Sequence, residues 1–323
     1  MANDKFELAL VICTYNRDRY LPDALESIKN QSFPGTQFQV VIVDNNSTDN
    51  TAAISKKFIA ENPDLHITYA FEQQKGLSFA RNRGVAEADA PVLCYIDDDI
   101  ILAPGFLNAM KSFYDSYPNA VGAGGRVIPK YEHDKEPEWM NKYLNGFVGR
   151  VEHGDKIKKY DEKMKYPAGC NMSYKKNVIL KAGGFNNELT FRSDDKYIFH
   201  KITQLSTEIY YLPDAYLYHN IDAYRLDIGN FKKLFLKTGN EEKRRIKSEK
   251  GSLGVFKKFI EFVTKFGASI VLFFLLSDGG GALRREALFF LFLLKGQTPK
   301  GKYIVISQWC TLKGFLKKDV FVR

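Results

Sequence analysis

PVLCYIDDD, residues Pro91–Asp99, is an apolar run of strand character that ends in three consecutive aspartates. Three carboxylates at the C-terminal end of a buried strand repel one another and lose hydration, so a positive partner must offset the cost. A divalent cation does so most simply. Hard oxygen ligands suit Mg²⁺ or Mn²⁺, with substrate phosphates completing the shell. A solvated acidic turn is the competing explanation of these residues taken alone.

Upstream, LALVIC (Leu8–Cys13), FQVVIV (Phe38–Val43) and HITYAF (His66–Phe71) are further strand-like runs. Between them Leu21, Leu25 and Ile28, then Ile54, Phe58 and Ile59, recur at helical spacing, and GLSFARNRGVAEA (Gly76–Ala88) reads as a helix. This alternation predicts an α/β fold with a mostly parallel central sheet and helices on both faces. Ligands of such sheets bind outside the carboxyl ends of the strands. The polar residues fall there: Thr14, Tyr15, Asn16 and Arg17 after the first strand, Asp44 after the second, Asp97, Asp98 and Asp99 after the fourth. A nucleotide crevice follows. The first turn, CTYNRDRYL, holds no glycine, which argues against a dinucleotide cofactor, whose pyrophosphate needs close backbone approach.

VICTYNR, VIVDNNSTDNT, KGLSFARNRG and YIDDD, in that order, followed by AGCNMSYKK (Ala168–Lys176), GGFNNEL (Gly183–Leu189), SDDKYIFHKI (Ser193–Ile202) and LPDAYLYH (Leu212–His219), resemble the inverting family-2 glycosyltransferases, which use nucleotide-sugar donors and have the GT-A fold. The resemblance spans roughly residues 6–220. It implies a nucleotide-diphospho-sugar donor, a UDP-sugar first among them, and a glycan or lipid-linked acceptor in polysaccharide or cell-surface glycan synthesis. Asp99 is implied as the direct Mn²⁺ or Mg²⁺ ligand, Asp97 as a contact to ribose or metal-bound water, and His219 as a further metal ligand. Asp98, Asp44, the Thr14–Arg17 loop, Lys75 and Arg81 are implied on the donor side, with Arg81 facing the nucleotide. Inversion needs one general base to deprotonate the acceptor hydroxyl, and the resemblance assigns it to Asp195, the second residue of the pair Asp194, Asp195. Helix capping is the alternative use of that pair. Asp194, Asn171 and Trp139 are expected on the acceptor side. Trp139, in KEPEWMNKYL, either stacks on a sugar or anchors its own segment.

Charge divides the chain. Residues 225–323 carry 21 Lys and Arg against 8 Asp and Glu, a net +13 in a chain of net +9, which leaves residues 1–224 at −4. The expected domains are therefore a catalytic domain over 1–224, with a donor half to about 126 and an acceptor half from about 127, and a basic helical appendage over 225–323. The stretch NEEKRRIKSEKGS (Asn240–Ser252) reads as a linker. KKFIEFVTKFGASIVLFFLL (Lys257–Leu276) and ALRREALFFLFLL (Ala282–Leu294) are basic and amphipathic, but the apolar run Phe266–Leu276 has 11 residues, short of the ~20 a spanning helix needs. An anionic membrane surface is the expected partner, and a hairpin packed on the catalytic domain or on a second copy in a homo-oligomer is the alternative. The absence of finger spacings, RNA-binding aromatics or a basic stripe excludes nucleic acid. No charged-then-apolar leader opens the chain, and Cys13, Cys94, Cys170 and Cys310 are widely spaced; both predict a reduced, cytoplasmic protein at the inner membrane face. A nucleotidyltransferase, or a non-catalytic sugar-nucleotide-binding subunit, is the alternative function.

Overall fold

The computed structural model describes residues 5–161, 164–189, 193–276 and 301–316. They divide into two compact units, one of residues 5–130 and Gly149–Asn220, the other of Tyr131–Val148 and the residues from Ile221 onward.

The first unit is built on a sheet whose strands are β1 (Leu8–Thr14), β2 (Phe38–Asp44), β3 (His66–Phe71), β4 (Val92–Asp97), β5 (Ile100–Leu102), β6 (Gly122–Tyr131), β7 (Lys158–Lys159), β8 (Asn171–Lys175) and β9 (Ile209–Ile221). Their spatial order is β3-β2-β1-β4-β8-β6-β9-β5, with β7 beside β9. The four strands read from the sequence form the parallel part. Beyond β4 the pairings β4–β8, β6–β8, β5–β9 and β7–β9 are antiparallel, so the sheet is mixed rather than mostly parallel.

Side chains alternate across this sheet as the two-residue period demands. Leu8, Leu10, Ile12, Val40, Ile42, Cys94 and Ile96 pack on one face against α1 (Leu21–Lys29) and α4 (Phe106–Ser116). Ala9, Val11, Val41, Val43, Leu93 and Tyr95 pack on the other against α3 (Leu77–Glu87), α5 (Lys176–Lys181) and α6 (Asp194–Thr203). Helix α1 shows why: Leu21, Ala24, Leu25 and Ile28 are buried at helical spacing, and Pro22 sits in the first turn, where its missing N–H costs no bond.

In the second unit a helix runs over Ile228–Leu276 and breaks at Gly251 (φ 62°, ψ −163°), a conformation nearly restricted to glycine. The chain doubles back there, since Lys258 Nζ lies 3.5 Å from Glu242 Oε1. The stretch Asn240–Ser252 is thus helix and turn rather than linker. Its charges pair along the helix, Arg244 with Glu241 and Arg245 with both Glu242 and Glu249, and i,i+3 and i,i+4 pairs of this kind favour helix. The helix Lys302–Leu316 completes a helical bundle. Ala282–Leu294 lies outside the described residues. No helix among the described residues is long and apolar enough to cross a membrane.

The bundle depends on close backbone approach. A Cβ on Gly239 would lie 2.0 Å from the Thr311 carbonyl oxygen, and one on Gly314 would lie 2.0 Å from that of Leu236. Gly239→Ala should therefore separate the two helices and cost about 1–3 kcal/mol as overpacking. A lower thermal midpoint, with helix content kept at low temperature, is the expected result.

Candidate active site

Three parallel strands end in line: Thr14 pairs with Asp44, and Cys13 with Asp97. The loops after β1 and β2 are tied together. Asn45 N–H donates to Thr14 O (2.8 Å), Asn16 N–H to Ser47 Oγ (3.0 Å), and Thr48 N–H to Asn16 Oδ1 (2.8 Å). Asn16 takes a left-handed φ of 52°, which Asn tolerates better than most residues. Asp44 is buried and accepts from Ser47 N–H (2.9 Å) and Tyr69 Oη (2.7 Å). Burial and the Asp44 carboxylate push the Tyr69 phenol up, which keeps it a donor. Tyr15 and Lys75 are exposed and meet at the rim, Lys75 Nζ donating to Tyr15 Oη (3.1 Å).

Asn45 is a residue that motif reading passed over. Its Nδ2 donates to Gln74 O (2.6 Å) and its Oδ1 accepts from Gly76 N–H (2.7 Å). It thereby fixes the loop carrying Lys75. Its place after Asp44 in an Asn-rich turn was the available signal, because Asn side chains bond backbone in turns.

At the end of β4, Asp98 and Asp99 are buried, and both are approached by Arg17, whose Nε lies 3.7 Å from Asp98 Oδ1 and Nη2 3.5 Å from Asp99 Oδ2. Burial first, then the neighbouring Asp99 charge, raises the Asp98 carboxyl pKa. Asp97 is raised as well, burial outweighing the opposing Arg81 charge. Pairing of β5 with β9 sets His219 opposite Ile100 and brings His219 Nε2 to 3.4 Å from Asp99 Oδ1. Among the described residues no group of three or more His, Cys, Asp or Glu forms a ready cation cage.

Asp195 is the second residue of α6, with Oδ1 accepting from Lys196 N–H (2.7 Å) and Oδ2 from Gly169 N–H (3.2 Å). Asp194 is buried and pairs directly with Arg81. Arg81, expected to face the nucleotide, is 3% exposed and also reaches Gly169 O (3.1 Å) and Asp97 Oδ1 (3.8 Å). Burial first, and then the charges of Asp97, Asp99 and Asp195, push the Cys170 thiol up. Burial also pushes Cys13 and Cys94 up, so none of the three is a thiolate at neutral pH.

Two expected acceptor-side residues are engaged in holding the fold. Asn171 is fully buried, its Nδ2 donating to Arg126 O (3.0 Å) and Ala215 O (2.9 Å), which clamps β6 and β9. Trp139 belongs to the second unit and stacks on Tyr303, ring centroids 4.0 Å apart and planes 9° apart, with Phe231 edge-on. It anchors its own segment.

A mixed sheet flanked on both faces, with carboxylates at the parallel strand ends, is the GT-A arrangement of nucleotide-diphospho-sugar transferases. A family model described as glycosyl transferase family 2 matches residues 9–182, and the chain belongs to that family. Glucosyl-dolichyl phosphate glucuronosyltransferase of Haloferax volcanii is 27% identical over 194 residues, 59% of each chain. The GalNAc(5)-diNAcBac-PP-undecaprenol beta-1,3-glucosyltransferase of Campylobacter jejuni is 26% identical over 185 residues, 56% of this chain and 55% of that one. The chain thus spans little more than half the length of these curated relatives. The mannosyltransferase PcManGT of Pyrobaculum calidifontis, solved with GDP-Man and Mn2+, shares the fold at a TM-score of 0.66, with 16% identity over 95% of this chain and 85% of its own. TarS 1-349 of S. aureus, solved with UDP-GlcNAc, matches at 0.55, with 16% identity over 95% and 90%.

Asn45→Ala should leave Gln74 O and Gly76 N–H without their partner, at about 1–3 kcal/mol. Amide exchange over residues 72–76 should accelerate about ten- to a hundredfold, while strands β1, β2 and β4 stay protected. Unchanged exchange at Gly76 would show that the loop is held by other contacts.

Proposed function

We propose that the chain transfers a sugar, with inversion, from a nucleotide-diphosphate donor to a glycan or lipid-linked acceptor. The observation that carries this reading is the run of contacts from Asp97 at the end of β4, 3.8 Å from Arg81 Nη2, through the Gly169 that Arg81 holds, to Asp195 on α6. A UDP-sugar is the first donor to test, and the Thr14–Arg17 loop, Asp44 and the Tyr15–Lys75 pair are the surfaces for base and ribose. Names of relatives support the acceptor class, since two act on dolichyl phosphate or undecaprenol-linked sugars.

The donor set fits a hard divalent cation. Mg²⁺ and Mn²⁺ sites take one or two carboxylates and leave the other positions to water and phosphate oxygens, so Asp99 and His219, with Asp97 beside them, suffice without a closed cage. A cation held there, when bound, neutralises charge on the departing nucleoside diphosphate. Arg17 already sets positive charge against Asp98 and Asp99. Asp195, its carboxylate oriented by Gly169 N–H, accepts the acceptor hydroxyl proton as the sugar is attacked from the face opposite the nucleotide.

The helices of the second unit are proposed to dock on an anionic bilayer at the cytoplasmic face. Leu253, Phe256, Ile260 and Val263 repeat at three- and four-residue spacing and are each 45–66% exposed, more apolar surface than isolated residues explain. Lys247, Lys250 and Lys257, from the same helical segment, are exposed and have no acidic partner among the described residues. Their common sign opposes a second copy of the same segment and favours acidic lipid.

Full-length protein incubated with a panel of UDP- and GDP-sugars and Mn²⁺ should release nucleoside diphosphate. Chelation should stop release, and Asp195→Asn should lower it by about 10² to 10⁴ with nucleotide binding retained. Release that is unchanged in both conditions refutes the reading.

For the membrane, the full chain should float with phosphatidylglycerol-containing vesicles, and salt should weaken this as screening shortens to about 8–10 Å. Phe256→Glu with Ile260→Glu should abolish flotation and leave donor turnover intact. A dimer that this variant dissociates, with no flotation by the parent chain, would assign the face to a second copy instead.

A further inference from the structure

Arg81 and Asp195 are joined through a single residue, Gly169. The Gly169 carbonyl accepts from Arg81 Nη2 at 3.1 Å, and the Gly169 N–H donates to Asp195 Oδ2 at 3.2 Å. A second route runs through sequence, because Arg81 pairs directly with Asp194, the residue before Asp195. The guanidinium is enclosed on its remaining sides. Phe185 lies under it at 5.7 Å, and Asp97 Oδ1 stands 3.8 Å away. At 3% exposure no edge is left to receive a phosphate or a base.

We infer that Arg81 is a positioning residue, which sets the carboxylate of Asp195 for proton removal by fixing Gly169 and Asp194, and is not a donor-binding residue. The inference rests on the general-base role proposed for Asp195. Geometry explains why arginine is required. One planar fork reaches a carboxylate and a carbonyl at once, whereas a lysine ammonium is a point charge that serves one of them well. It also explains Gly169, since a Cβ there would approach Arg81 Nη2 at 2.6 Å and displace the fork. Asp97 adds a link to the donor side. The guanidinium is the one cation in salt-bridge reach of both Asp97 and Asp194 among the described residues, so the acceptor-side helix is tied to the end of β4.

Steady-state nucleotide release by the full chain tests this, using a nucleotide sugar that wild type accepts from the UDP and GDP panel. Arg81→Lys should lower kcat about ten- to a hundredfold, while the donor KM and the calorimetric affinity for the matching nucleoside diphosphate stay within about threefold. Gly169→Ala should give the same pattern with every charge retained, and it serves where the Arg81 variant fails to fold. In an Asp195→Asn background Arg81→Lys should add no further loss, as expected for residues acting as one unit. A rise in KM and in nucleotide dissociation, with kcat kept, would return Arg81 to the donor site. A full additional loss in the Asp195→Asn background would make its role general stability. A wild-type chain that turns over none of the panel refutes the function itself and the inference with it.

Discussion

Four carboxylates, Asp97, Asp98, Asp99 and Asp194, are gathered at one edge of the sheet, and their mutual repulsion is the constraint around which the rest is arranged. Three are buried. Charges so placed interact far more strongly than in water, and each loses hydration. Two arginines from separate elements offset this: Arg17 from the loop after β1 against Asp98 and Asp99, Arg81 from α3 against Asp97 and Asp194. Removing either arginine leaves buried charge uncompensated, which costs more than the pair contributes. Burial first, and neighbouring carboxylate charge after it, still raise the Asp97 and Asp98 carboxyls. That residue of unfavourable charge is what an added cation would relieve.

The switch of strand direction serves the same corner. Were β8 parallel to β4, its N-terminal end would lie at the start of β4, a strand length from the aspartates. Antiparallel pairing instead sets Asn171 opposite Ile96, so the turn Ala168–Cys170 arrives at the carboxyl end of β4. From there Gly169 meets both Arg81 and Asp195. The clamp of Asn171 on Arg126 O and Ala215 O holds β8 in that register. His219 reaches Asp99 by the parallel logic, through the β5–β9 pairing. Thr14, Asp44 and Asp97 are therefore set by parallel strand ends, and Gly169 and His219 by antiparallel returns.

This difference decides what could be read in advance. Of the four parallel strands, β1, β2 and β4 were legible because strands buried on both faces are continuous apolar runs, and the half-buried β3 because of its β-branched and aromatic residues. Asp99 with His219 followed from the family's motif order. Arg81 was misplaced because its partners, Asp194 and Gly169, stand 113 and 88 residues away, and an arginine on a polar helix face looks solvated until the helix is packed. Asn171 failed similarly: a polar residue inside a motif suggested ligand contact, while its amide satisfies two backbone carbonyls. Trp139 was open because stacking on a sugar and stacking on Tyr303 ask the same of an indole. Asn240–Ser252 looked like linker by its charge density, yet those charges are spaced to pair within a helix.

Charge segregation between residues 1–224 and 225–323 has a physical consequence for the proposed docking. Residues 1–224 are net −4 and residues 225–323 net +13. An anionic surface attracts the second set and weakly repels the first, and both effects act within a Debye length of about 8–10 Å. Adsorption through the apolar stripe and the lysines of its segment therefore does not require lipid headgroups to compete for Arg17 or Arg81, which are already matched by aspartates. The proposed donor is itself an anion, and residues 1–224, at net −4, give it no long-range attraction. Its diphosphate must be met by local positive charge, which returns the argument to the end of β4, where a cation beside Asp99 would answer the buried carboxylates and the substrate together.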